Sequence, residues 1–374
     1  MSMNAALFLT SGTSVRLWKE RGWLDGGTGT VTYNAWADHF NTFYLLSYGG
    51  REDLAYTDFL KKNIVVLPKK WPLPAWVYSL LIPFAYRREL KGTDLYYSAQ
   101  MEGAWAAALA KVLYRKKFVL HCGYQWALSD FAPGLKGALT KRLALFLEWI
   151  TYRAADYIVV TSQFAKDYVT ERYAIDPGRI ELIRNPVDTS LFRPMPVKKI
   201  PNSIVYVGRL EPEKNPRDLL EAVIGLPVAV TIYGSGSMQG QLQRFAEEHK
   251  ILAHFRGNVP ARQLAQELSQ YAVFAAPSQY ENSPKALLEA MSCGLAVVGY
   301  NVRGINEIID HKVSGYLSTP RPADLRQAIT DVLEAKELQE RFGVRAREFV
   351  MAHCEAQTAI RRSIEIFKTV LAQK

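Results

Sequence analysis

Thirteen short apolar runs, separated by turn residues and helix-forming stretches, constrain this chain more than any other feature. Seven come first: "AALFLT", "TFYLLSY", "NIVVL", "DLYYS", "FVLHC", "YIVVT" and "IELI". Six follow: "SIVYVG", "VAVTIYG", "AHFRG", "YAVFAAPS", "LAVVGY" and "GYL". Helical patterns such as "PRDLLEAVIG" and "MQGQLQRFAEEHK" fall between them. This alternation implies parallel sheets with helices on both faces. Between the two series lies "RNPVDTSLFRPMPVKKIPNS", with prolines at 186, 194, 196 and 201, which reads as a linker. At 374 residues two domains are expected. The reading is therefore an α/β chain of two doubly wound, Rossmann-like domains facing across a cleft. Ligands would bind at the C-terminal ends of the strands.

Charge and cysteine content narrow the function class. No run of 18 apolar residues is present, so no membrane span is expected. The start "MSMNAALFLTSG" is too short, and lacks the basic opening, for a signal peptide. Three widely spaced cysteines, Cys122, Cys293 and Cys354, suit reduced thiols and a cytoplasmic location rather than a disulfide frame or a zinc site. The net charge is +10, and residues 61–117 hold 11 basic and 3 acidic residues. Within them, "WPLPAWVYSLLIPFAYRRELK" is apolar, aromatic and flanked by cations. It suits peripheral docking on the inner, anionic face of a membrane, and a buried helix with a solvated basic end fits the same residues. Nucleic acid is not expected as a partner, because no RGG tract, zinc finger or RNP-like motif occurs.

The stretch from position 280 to 294, "YENSPKALLEAMSCG", carries two acids, Glu281 and Glu289. Ser283 is expected as a helix N-cap, Pro284 as the first helical residue, and Gly294 as the stop. The helix start offers free N–H groups at Lys285 and Ala286, and the positive end of a dipole, which suits a phosphate. Glu289 lies about 7.5 Å along the axis from Pro284, and Glu281 precedes the helix. A phosphate at the helix start would then have an acid on either side. A capped amphipathic helix with two solvated acids fits the same residues.

Two further loops point to an anion. "IVYVGRLEPEKNP" ends a strand at Gly208 and brings Arg209 and Lys214 past it, a pair suited to a diphosphate. "TIYGSGSMQ" ends the next strand with Gly234 and Gly236, which would let a ligand approach the backbone. As a dinucleotide fingerprint its spacing fails.

In order along residues 180–320, "VGRLEPEKNP", "IYGSG", "FRGNVP", "PSQYENSPKALLEAMSCGLAVV" and "INEIIDHKVSGYL" resemble the nucleotide-sugar domain of retaining GT-B glycosyltransferases of glycosyltransferase family 4. "IRNPVD" resembles the family's Asn-Gly-Val-Asp stretch, with Pro186 in place of the usual Gly. The resemblance implies an N-terminal acceptor domain at 1–188, a donor domain at 202–350, and a last helix, about 355–374, crossing back to the first domain. It implies transfer of a hexosyl group from a nucleotide-sugar donor to a hydroxyl acceptor, lipid-linked or a polysaccharide or glycolipid precursor. Arg209 and Lys214 would hold the diphosphate, backbone N–H groups around Ala286, Leu287 and Leu288 would also cap the phosphates, Glu289 would hold the ribose and Glu281 the transferred sugar. No metal or other cofactor is expected, since cations and a helix end can stabilise the leaving group.

In the N-terminal half, His121 ends the strand in "KKFVLHCGYQW" and stands where related enzymes often carry a His or Arg near the sugar and acceptor. A purely structural role suits a lone His as well. Gly26 and Gly27, in the first long loop, are candidates for a phosphate approach, and Glu102, in "QMEGAW", is a candidate for the acceptor site. Two rival readings remain: a catalytically inactive GT-B-like scaffold and a nucleotide-sugar epimerase.

Overall fold

The computed structural model describes residues 3–20, 24, 28–128 and 135–373. The chain divides into two compact units, Met1–Ile183 with Thr358–Lys374, and Arg184–Gln357. Every one of the thirteen apolar runs overlaps a strand.

In the N-terminal unit these are β1 (Asn4–Phe8), β2 (Thr42–Leu46), β3 (Ile64–Leu67), β4 (Leu95–Ser98), β5 (Lys117–Cys122), β6 (Tyr157–Val160) and β7 (Ile180–Leu182). They form one parallel sheet in the order β3-β2-β1-β4-β5-β6-β7. The C-terminal unit holds β8 (Ser203–Val207), β9 (Ala229–Tyr233), β10 (Leu252–Gly257), β11 (Val273–Ala276), β12 (Ala296–Tyr300) and β13 (Tyr316–Ser318). Their order is β10-β9-β8-β11-β12-β13, again parallel. β4, β11 and β12 are buried at every position, as strands covered by helices on both faces must be. Each sheet reverses its winding once, between β1 and β4 and between β8 and β11. Such switch points open a crevice at the carboxyl ends of the strands.

The last helix, Ala356–Ala372, belongs with the N-terminal unit for most of its length. Its Ile360, Ile366, Phe367 and Val370 recur at helical spacing and join the core over β1 and β2. Phe367 meets Trp36 edge-on at 5.3 Å and Tyr97 at 5.6 Å.

Two expectations are corrected here. The proline-rich segment is no free linker: Val187 and Phe192 are buried in the C-terminal core, and the Val187 N–H donates to the Cys354 carbonyl. Proline limits regular structure but does not prevent docking, and two large apolar side chains suffice to anchor the strip. The aromatic helix, observed at Ala75–Ala85, is not a buried helix either. Tyr78 and Ile82 face the core, whereas Trp76, Leu80 and Phe84 are exposed.

Candidate donor site at the second switch point

β8 and β11 are neighbours, and the loops leaving their carboxyl ends run to opposite sides of the sheet. Between those ends lies a cavity of about 150 Å³. Its floor is Val207 and Gly208 from β8 and Ala275 and Ala276 from β11. Its walls include Lys214, Glu281 and the helix start at Lys285, Ala286 and Leu287. The structure thus brings together Gly208, Lys214, Glu281, Ala286 and Leu287 from two separate stretches of chain. Leu288, one residue on, is fully buried and anchors the helix in the core.

Lys214 ends a short 3-10 turn, Pro212–Lys214, and Asn215 behind it adopts φ +50°, turning the chain into the helix Pro216–Ala222. The Gln279 N–H donates to the Glu213 carbonyl at 3.0 Å, tying this loop to the one after β11. Across that tie the Lys214 ammonium lies 2.5 Å from Glu281 Oε1, with side chains only 21% and 14% exposed. Ser278 donates to the same oxygen at 3.0 Å. A half-buried, doubly held pair of this kind is far better fixed than a surface ion pair. Burial and the Glu281 charge both raise the pKa of the adjoining Tyr206 phenol, which donates to the Arg209 carbonyl at 2.9 Å and braces the loop. Arg209 itself is exposed and pairs with Glu213 at 2.7 Å.

Glu289 lies deeper, on the helix Lys285–Ser292. It is 8% exposed and has the Lys285 ammonium at 3.7 Å. Burial raises its pKa, with Lys285 opposing the shift. The carboxylate is therefore costly to desolvate where it stands.

The helix start differs from expectation in one respect. The helix begins at Lys285, Pro284 takes the cap position, and the Ser283 hydroxyl does not cap it. That hydroxyl instead accepts from the Asn185 N–H at 3.0 Å, while the Asn185 side-chain amide donates to the Ser283 carbonyl at 2.6 Å. A long-range partner has displaced the local one, and the first-turn N–H groups receive no cap from Ser283.

Two glycines are obligatory here. Gly234 has φ +132°, and a Cβ there would lie 1.9 Å from the Gly208 carbonyl oxygen. Its lack of a side chain permits a close approach of the β8 and β9 ends. Gly304, at φ +80°, would place a Cβ 2.2 Å from the Glu281 carbonyl oxygen. The Glu281 N–H also donates to the Arg303 carbonyl at 2.9 Å, so the 303–304 turn sets where Glu281 stands. Sequence reasoning missed Gly304, Ser278 and Asn185. The only signal for Gly304 was an Arg-Gly step just before "INEII".

In the N-terminal unit, His121 lies on β5, its ring centroid 6.1 Å from that of Tyr97. Part of the residue reaches solvent, yet its dense surroundings lower its pKa to about 4, against a hydrogen bond with the Ala99 backbone. The imidazole is thus neutral at pH 7. Between about pH 4 and the ordinary 6.5 the unfolded chain binds a proton that the fold refuses. Stability should therefore rise with pH across that window, and His121→Gln should flatten the rise in urea midpoints. An unchanged slope in the variant would refute the neutral assignment. Glu102 stands two residues before the helix Ala104–Tyr114, and its carboxylate hydrogen-bonds the Tyr124 phenol. Gly26 and Gly27 lie outside the described residues.

With this geometry in place, the comparisons with known proteins are decisive. The family model "Glycosyltransferase Family 4" matches residues 30–191, and "Glycosyl transferases group 1" matches residues 188–349. The chain belongs to glycosyltransferase family 4. Among curated relatives, the glycogen synthase of Mycobacterium tuberculosis is 27% identical over 243 residues, covering 62% of this chain and 58% of that protein. The D-inositol 3-phosphate glycosyltransferase of Segniliparus rotundus is 27% identical over 210 residues, 50% of this chain and 47% of that one. The chain thus matches less than two thirds of the length of these relatives. Among solved structures, the sucrose-phosphate synthase of Thermosynechococcus elongatus superposes with a TM-score of 0.81 at 17% identity, over the whole of both chains. Anabaena HepE in complex with UDP and glucose gives 0.77 at 17% identity, over 98% of this chain and all of that one. The fold is the GT-B fold, and the cavity between β8 and β11 lies in the half matched by the group 1 model.

Proposed function

We propose that this family 4 protein is a retaining glycosyltransferase that moves a hexosyl group from a nucleotide sugar to a hydroxyl acceptor. The observation that carries this reading is the Lys214–Glu281 pair facing the helix start at Lys285–Leu287 across one small cavity. A diphosphate there would meet the Lys214 ammonium and the first-turn N–H groups, with Arg209 free to leave Glu213 and close over it. These preorganised charges would stabilise the departing nucleoside diphosphate without requiring a metal ion. Glu289, buried with one long ion-pair contact, would gain hydrogen bonds from the ribose hydroxyls. Glu281, oriented by Lys214 and Ser278, would accept from the transferred sugar. HepE has been crystallised with UDP and with UDP-glucose, which supports a nucleoside diphosphate donor for this chain. His121, as a neutral hydrogen-bonding group, and Glu102 are assigned to the acceptor side. The basic, aromatic stretch in residues 61–117 supports an acceptor carried at an anionic membrane surface, with the protein peripheral to it. Among the described residues no helix is long and apolar enough to cross a membrane.

The two acids provide the test. Glu289→Gln should weaken binding of the bare nucleoside diphosphate by about 1–3 kcal/mol, because donor hydroxyls lose a charged acceptor. Glu281→Gln should bind it nearly as well as the parent protein and lose sugar transfer instead. Calorimetric titration together with turnover separates the two. Equal losses of nucleotide affinity would reverse the assigned donor orientation. Absence of product from every nucleotide sugar, with nucleotide binding intact, would favour a scaffold.

A further inference from the structure

The helices Ala75–Ala85, Ala104–Tyr114 and Leu135–Ala154 pack side by side on one face of the N-terminal sheet. Tyr78, Ile82, a row of alanines and Tyr152 fill the space beneath them. Their outer side is apolar instead of polar. On the first helix Trp76, Leu80 and Phe84 follow one another at i, i+4 and i+8, with Trp76 68% exposed. On the third, Leu139, Leu143 and Phe146 form a similar stripe that continues to Trp149, stacked on Phe146 at 6.3 Å. Exposed Val112 and Leu113 end the helix between them. Among the described residues every exposed Trp and Phe of the chain lies in this unit.

Among the described residues the exposed charges on these helices and just after them are basic, while Glu89, beside Arg88, is partly buried. No acid on the three helices is exposed among the described residues, since Glu148 is fully buried and accepts the Ala127 N–H at 2.9 Å. Lys141, Arg142 and Arg153 stand exposed on the third helix, Arg87 and Arg88 follow the first, and Arg115 follows the second. Arg153 lies over the Trp149 ring at 5.2 Å. Parallel βαβ units run their helices against the strands, so the stripes begin near the sheet edge that carries Glu102 and the end of β5.

We propose that this three-helix face is a membrane-docking surface, with its aromatics seated in the headgroup layer and its cations paired with anionic lipid. It deepens the membrane-side reading above, and it adds a helix that lies outside the basic window legible in the sequence. Exposed aromatics ringed by cations match an anionic interface in both polarity and charge. A second copy of the same face would instead bring like charges together.

The test uses the full chain and sedimentation with vesicles of equal parts phosphatidylcholine and phosphatidylglycerol, and with phosphatidylcholine alone. The anionic vesicles should bind the protein and release it as salt rises. Trp76→Ser/Phe84→Ser and, separately, Phe146→Ser/Trp149→Ser should each weaken binding by about tenfold or more, since each removes two inserted rings. All four positions are exposed, and circular dichroism and nucleoside diphosphate affinity should be unchanged in both variants. Binding lost only in the first pair would overturn the role of the third helix. No vesicle binding at low salt would overturn the proposal outright, as would a dimer in sedimentation velocity that both variants dissolve. Nucleoside diphosphate binding is measured without lipid, so a failure of the donor-site reading shows separately.

Discussion

Replacing Lys214 by Ala should lower kcat/KM for the nucleotide sugar by about 3 kcal/mol, roughly a hundredfold or more. Three effects act together. The variant removes the cation that meets the departing diphosphate. It leaves the 14%-exposed Glu281 carboxylate with only Ser278 and the solvent to hold it. It also sets that unneutralised carboxylate against an incoming dianion, where lysine had cancelled it. Nucleoside diphosphate affinity should fall as well, because the loss is felt before the sugar moves. Lys214→Arg should recover part of the rate, since a guanidinium keeps the charge but not the compact geometry. A Lys214→Ala enzyme within about threefold of the parent would remove the pair from the mechanism, because a preorganised donor of this kind costs far more when deleted.

Replacing Phe367 by Ala should destabilise the N-terminal unit by about 3–5 kcal/mol, the usual cost of emptying a buried aromatic site. Phe367 is almost fully buried, edge-on to Trp36 and Tyr97 and tilted against Phe40 at 6.1 Å. Those rings belong to the helix Thr28–Ala37, to β4 and to the turn before β2, so the cavity would open beneath the last helix where several elements meet. For a unit of this size the melting transition should drop by about 10 °C. Intrinsic tryptophan fluorescence follows it, since all eight tryptophans of the chain belong to this unit. Met351→Ala, at an exposed position on the helix Lys336–His353, is the control and should leave the midpoint in place. A Phe367→Ala midpoint within about 2 °C of the parent would show that the last helix is not an integral part of the core.

The sheets were legible because period and composition act locally. Apolar, β-branched runs such as "NIVVL" and "LAVVGY" have no soluble alternative to burial, and their alternation with helices leaves parallel pairing as the outcome. That certain residues would gather at the carboxyl end of the second sheet was legible for a similar reason. Gly208, Lys214, Glu281 and Ala286 each sit just past a strand or at a helix start, places that chain order alone reveals, and all four line one cavity.

What the sequence could not determine were the contacts made between distant segments. Ser283 carries the chemistry of an N-cap, yet its hydroxyl accepts from Asn185, 98 residues away, because folding brought a competing donor within reach. The proline-rich segment contains little regular structure, yet Val187 and Phe192 bury themselves against the C-terminal core. The spacing of Glu281 and Lys214 along the chain says nothing of their 2.5 Å contact, which depends on the loops after β8 and β11 being clamped at Gln279 and Glu213. The apolar stripe on the helix Leu135–Ala154 was hidden for the opposite reason. A hydrophobic residue in a helix is expected to face inward, and only packing decides which stripe meets the sheet and which is left outside. Local chemistry determined the elements and their order, while tertiary packing decided partners and exposure, because those are set by which distant groups compete for the same hydrogen bond or the same buried surface.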